Sequence, residues 1–116
     1  MGEKKMNNSL NWLNFFNPTD DWYYLTDKER KKYLGNYLKI VEATKKKGAK
    51  LIGSYKCRSN SEWSKYDIWE FPSIEIIVEM NNKLEEIGHY QFFEENHVLG
   101  RKYKKFNKDS ENKLLK

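Results

Sequence analysis

The sequence holds one cysteine, Cys57, and only two histidines, His89 and His97. A lone cysteine forms no internal disulfide, and three such side chains scattered along a chain match none of the spacings of a zinc site. No metal site is therefore expected. Neither G-x-G-x-x-G nor a P-loop occurs, so nucleotide-phosphate cradles of those kinds are not expected, and there is no Ser-His-Asp pattern. Apolar runs are short, far below the roughly 18 residues of a membrane span. The opening stretch "MGEKKMNNSL" lacks the apolar core of a secretory signal, and Met6 stands where a myristoylation pattern needs Ser or Thr. These absences predict a cytoplasmic protein with no membrane partner.

Charge is less informative than its total suggests. The net charge of +5 comes entirely from residues 101–116, which carry 7 of the 22 Lys+Arg and 2 of the 17 Asp+Glu. The preceding hundred residues are neutral. The basicity thus belongs to the chain end, and the predicted organisation is a disordered segment 1–9, one domain over 10–106, and a basic frayed tail over 107–116. A chain of 116 residues supports one core and no independent second domain.

Aromatic residues are abundant, at 16 %, and they mark the elements. "NWLNFFN" alternates and stops at Pro18, as a strand does. "PTDDWYY" reads as a turn-rich connection. Thr26 followed by Glu29 forms a capping box, and Tyr33, Leu34, Tyr37, Leu38 and Val41 recur at helical spacing up to Gly48. "AKLIGSYKCRS" and "KYDIWEF" predict a hairpin. Pro72 ends its second strand, and Ser73 is placed to cap a helix whose stripe is Ile77, Met80, Leu84 and Ile87, closed by Gly88. "HYQFFEEN" is a short turn or helix, and "VLGRKYKKF" a last strand.

The order β-α-β-β-α-β predicts an α+β, ferredoxin-like fold: a four-stranded antiparallel sheet with two helices on one face. No element remains to cover the other face, although "NWLNFF" and "YDIWEF" are apolar on both alternating sides. A homodimer is the expected cover.

Three patches carry a family likeness. They are Trp22, Leu25, Thr26, Glu29 and Arg30 at the entry to the first helix, then Trp69, Glu70, Phe71 and Pro72 at the exit of the third strand. Gly88, Tyr90, Phe92, Phe93 and Asn96 follow the second helix. In these the chain resembles the dimeric α+β barrel superfamily, and within it small darcynin-like and monooxygenase-like proteins. The pattern would place tryptophan where this chain has His89. The resemblance implies two sheets facing each other across a dimer. It also implies a cavity between sheet and helices in each subunit, where relatives hold small, often aromatic ligands or haem. Haem-degrading relatives combine an Asn, a Trp and a His; Asn14, Trp69 and His89 are those types. The residues themselves predict no cofactor, and haem enters through the resemblance alone.

The candidate ligand-binding residues are Trp12, Asn14, Phe16, Tyr55, Trp69, His89, Tyr90 and Phe93, enclosing a planar or aromatic small molecule. His89 is the candidate catalytic residue, because imidazole titrates near neutrality and can serve as acid or base. Trp69 and His89 are expected to border one cavity. The paired acids Glu85/Glu86 and Glu94/Glu95 read as solvated helix face, and Cys57 as a buried, inert thiol. If the protein is an enzyme, the resemblance implies a cofactor-light monooxygenase or isomerase, with His89 or a tyrosine moving the proton. Two other readings stay open. The interior could be filled by side chains, which makes a structural or partner-binding module. The fold also describes an RNA-binding module, but "SKYDIWEF" lacks the glycine of that motif and carries Asp67 and Glu70, so no nucleic-acid partner is expected.

Overall fold

A computed structural model describes residues 9–101 of the protein. The first eight residues, the end of the expected last strand and the basic tail lie outside the described residues. Eight elements follow in order: β1 (Leu10–Pro18), α1 (Asp20–Tyr24), α2 (Asp27–Lys46), β2 (Lys50–Lys56), β3 (Lys65–Phe71), α3 (Ile74–Glu86), α4 (His89–Phe92) and β4 (Phe93–Arg101). The strands form one antiparallel sheet in the order β2-β3-β1-β4, the βαββαβ arrangement that the sequence predicts.

Local chemistry sets the helix ends. Thr26 accepts from the Glu29 amide at 3.2 Å while Glu29 accepts from the Thr26 amide at 2.9 Å, so two orphan donors of α2 are satisfied reciprocally. Helix α2 closes at Gly48, whose φ of 104° is open to glycine and strained for other residues. Ser73 holds the position before α3, but its hydroxyl makes no capping bond. The stretch expected as a turn is instead the short helix α1. Arg30 ties it to α2, donating to the carbonyls of Trp22 at 3.2 Å and Tyr23 at 2.9 Å.

Strand alternation sorts the side chains into two surfaces. Leu10, Trp12, Asn14, Asp67, Trp69 and Phe71 are buried against the helices. Ile40 and Val41 of α2 and Ile77, Met80 and Leu84 of α3 complete that core. Phe71 is fully buried, stacked on Trp69 at 5.4 Å and edge-on to Trp12 at 5.7 Å. On the other surface Leu13, Phe15, Tyr66 and Ile68 are half-buried and Tyr55 is 44 % exposed.

Two boundaries differ from the sequence reading. Strand β4 begins at Phe93 rather than after the acidic pair, because β1 offers a nine-residue ladder and pairs with it from Pro18↔Phe93 onward. Cys57 is half-buried rather than buried. It lies just past β2, where its amide donates to Ser64 at 2.8 Å and closes the hairpin.

Candidate functional site

Leu10, Trp12 and Phe71 fill one end of the space between sheet and helices, and the other end stays open. There a cavity of about 340 Å³ is bounded by β1, α1, α2, β3, α4 and β4. Asn14 and Phe16 reach it from β1, Tyr33 and Tyr37 from α2, Asp67 from β3, and Phe93 and Glu95 from β4. Its volume is at the small end of the roughly 300–1,000 Å³ of ligand sites.

His89 enters the wall because of the turn before it. Gly88, with φ 78°, ends α3 in the left-handed region, and one helical turn, α4, then carries His89 inward. That turn is anchored to the end of β1, where Thr19 donates from its amide to Phe92 at 2.9 Å and from its hydroxyl to Gln91 at 2.7 Å. The imidazole is 5 % exposed and stacks against Phe93 at 5.2 Å and Tyr37 at 5.7 Å. Both ring nitrogens are engaged. Nε2 lies 2.5 Å from Glu95 Oε2, and Nδ1 meets the hydroxyl of Tyr33 in a short hydrogen bond. Glu95, His89 and Tyr33 therefore form one hydrogen-bonded chain at the cavity wall.

The surroundings oppose stray ionisation. Burial first, then the charges of Tyr37 and Glu95, hold the Tyr33 phenol above its ordinary range. Tyr37 is displaced in the same direction by burial and by Asp67. The Asp67 carboxyl is also pushed up, chiefly by burial and further by Glu95, while a hydrogen bond from Ser54 pulls the other way. Asn14 is 5 % exposed, and its Oδ1 has no hydrogen-bond partner among the described residues.

The structure divides the candidate residues. Asn14, Phe16, His89 and Phe93 line the large cavity. Trp12 and Trp69 do not: they are core residues, bordering with His89 a void of about 10 Å³, and Trp12 also borders a separate groove. The expected shared cavity of Trp69 and His89 is thus this small void, and the large one excludes the tryptophan. Tyr55 sits on the opposite face of the sheet, beside Tyr66 at 5.0 Å, because its register partner Tyr66 points away from the helices. Tyr90 is 42 % exposed, donates to Asn81 at 3.2 Å, and lies along a separate groove with Trp12 and His97.

Glu95 corrects the reading of the acidic pairs. Its side chain is only 9 % exposed, since β4 starts early enough to turn it inward. Tyr33, Tyr37 and Asp67 were missed as site residues because each also fits a helix stripe or a strand alternation. The one available signal was Asp67 itself, a carboxylate on the alternation that buries Trp69 and Phe71.

A histidine-ligated haem would need a free imidazole nitrogen, and Glu95 and Tyr33 occupy both nitrogens of His89. His97 is exposed outside the cavity. The residues around the cavity do not fit a histidine-ligated haem. Among the described residues no group of three His, Cys, Asp or Glu side chains is placed to hold a metal ion, and no helix is long and apolar enough to cross a membrane.

Comparison with known proteins places this geometry in a fold. A chlorite dismutase from Candidatus Nitrospira defluvii in complex with imidazole matches with a TM-score of 0.72 at 14 % identity, over 99 % of this chain and 52 % of that one. A doubly substituted form of the same enzyme gives 0.72 at 13 % identity over 94 % and 48 %, and a singly substituted form in complex with cyanide 0.70 at 14 % over 97 % and 50 %. The chain spans about half the length of these structures, and the likeness is one of fold, the dimeric α+β barrel type. No curated protein matches the sequence. The model of the family of unknown function DUF6616 matches residues 11–111, and the chain belongs to that family.

Proposed function

We propose that this member of the DUF6616 family binds a small, single-ring molecule in the cavity between sheet and helices and moves a proton on it, as an isomerase-type acid–base protein. The observation that carries the reading is the buried Glu95–His89–Tyr33 chain on the wall of a ligand-sized cavity.

The chemistry follows from the order of the three groups. The Glu95 carboxylate accepts from Nε2–H and fixes the imidazole, leaving Nδ1 to accept from the Tyr33 hydroxyl. With both nitrogens engaged, the tyrosine oxygen is the atom of the chain left to exchange a proton with a ligand. As it takes a proton from the ligand it passes its own to His89, so no free phenolate forms in surroundings that disfavour one. The reverse passage returns a proton at a second ligand atom, and the net change is an isomerisation that needs no oxidant.

Sequence resemblance brings a second activity, a monooxygenase, but the hydrogen-bonded chain speaks for proton transfer. A reading as a purely structural module fits less well, since about 340 Å³ beside a polar chain is unfilled by side chains.

The test is hydrogen exchange. A panel of single-ring carbonyl, phenol and amine compounds is incubated with the protein in D₂O and followed by NMR. The expected result is catalysed deuterium uptake into at least one compound, lost in Tyr33→Phe and His89→Gln. Uptake unchanged in Tyr33→Phe, or none above the uncatalysed rate across the panel, overturns the proposal.

A further inference from the structure

We infer that the cavity selects an organic cation, a single ring bearing a protonated amine or amidine, with its charged nitrogen held among Asp67, Glu95 and Asn14 Oδ1. This rests on the cavity being the ligand site and adds the chemical class of the ligand.

Register brings the three acceptors together. Asn14 pairs directly with Asp67 on one side of β1, and Phe16 pairs with Glu95 on the other. Paired residues share a face, so both carboxylates stand over the same patch of sheet, separated by the width of β1. They are deeply placed: Asp67 is 8 % exposed, Asn14 5 %, and the Glu95 side chain 9 %.

Their partners are unequal. Glu95 has His89, whereas Asp67 makes no ion pair among the described residues. Asp67 feels the charge of Glu95, which adds to the upward displacement of its carboxyl by burial. Lys65 is the one basic side chain lining the cavity besides His89, and it is exposed at the rim. Asn14 Oδ1 adds a buried acceptor with no donor. A ligand that brings N–H donors and positive charge satisfies all three at once. An anion would bring no donor to the two carboxyls and would leave the amide oxygen unpaired.

The walls point the same way. Phe16, Trp22, Tyr33, Tyr37 and Phe93 surround the acceptors with aromatic rings, whose faces attract a desolvated cation. The volume of about 340 Å³ limits the occupant to one ring with a short arm.

The test uses the full chain and four matched probes: benzylamine, benzamidine, benzoate and benzyl alcohol, each measured by calorimetry and by thermal shift. The two cations are expected to bind at least tenfold more tightly than benzoate or benzyl alcohol and to raise the Tm. Asp67→Asn should weaken benzylamine at least tenfold, and Lys65→Met should tighten it or leave it unchanged. Benzoate binding as well as benzylamine, no probe binding at millimolar concentration, or an Asp67→Asn variant with undiminished affinity would each overturn the inference. If Asp67→Asn does not fold, the ranking of the four probes on the unaltered protein decides. The two proposals fail separately. A wrong proton-transfer reading gives no deuterium uptake, or uptake unchanged in Tyr33→Phe, while the cations still bind, and a wrong ligand class leaves uptake intact while benzoate or the alcohol wins.

Discussion

His89 and Glu95 meet at 2.5 Å, Nε2 to Oε2, across a change from helix to strand. The four residues of α4 and the start of β4 at Phe93 put Phe93 and Glu95 on the cavity side of the sheet. One residue more in that turn would send Glu95 to the opposite face, because strand side chains alternate.

Glu95→Gln should therefore damage the proton chain while leaving the cavity in place. A neutral amide accepts less strongly from Nε2–H, and the short contact should give a far-downfield proton resonance in the unaltered protein that disappears in the variant. Removing this partner from a buried ring should cost about 1–3 kcal/mol in chemical denaturation. A resonance retained in Glu95→Gln would show that the imidazole does not depend on this carboxylate.

Asp67 makes a prediction about pH. Its carboxyl is raised above the ordinary 3.8 by burial, so the folded protein holds that proton more tightly than the unfolded chain does. The stabilisation is complete below 3.8 and is lost as pH rises through the raised value. Asp67→Asn cannot ionise and escapes the loss. Its Tm relative to the unaltered protein should climb from acid to neutral pH, by a few degrees; a difference that is flat or shrinks as pH rises contradicts the assignment.

The core has its own measure. Phe71 is fully buried between Trp69 and Trp12, and Phe71→Ala should cost about 3–5 kcal/mol. At roughly 4–8 °C per kcal/mol for a domain of this size, the Tm should fall by more than ten degrees. A fall below five would mean that the cavity end collapses to refill the space.

The sheet face that no element among the described residues covers predicts the assembly. Leu13, Phe15, Tyr66 and Ile68 are only half-buried there, with Tyr55 and Val98 exposed beside them. A second copy of the chain is the expected cover, giving a mass twice 14.1 kDa in light scattering at micromolar concentration. Ile68→Lys should halve it, since a buried lysine without a partner is costly at an apolar interface. A stable mass of 14.1 kDa for the unaltered chain would refute the dimer.

What the sequence determined by itself was most of what has a short-range cause, the short helix α1 and the unmade cap at Ser73 excepted. The capping box at Thr26 and Glu29, the stop at Gly48, the end of β3 before Pro72 and the stripe of Ile77, Met80 and Leu84 follow from backbone chemistry and periodicity within a few residues. These elements, in their order, give the fold. Asn14, Phe16, His89 and Phe93 were also readable as pocket candidates, though not separable there from Trp12, Tyr55, Trp69 and Tyr90. The tertiary structure alone decided which of the inward residues are packed and which line open space. Trp69 and Asp67 share one alternation on β3, yet one is core and the other meets the cavity. The difference is what stands above each: Met80 and Leu84 of α3 close over the tryptophan end, while α2 presents Tyr33 and Tyr37 over the other. Pairing of Glu95 with His89 was hidden for a related reason. It depends on β1 drawing β4 into register from Pro18 onward, a contact between segments more than seventy residues apart, and no pattern local to the acidic pair encodes it.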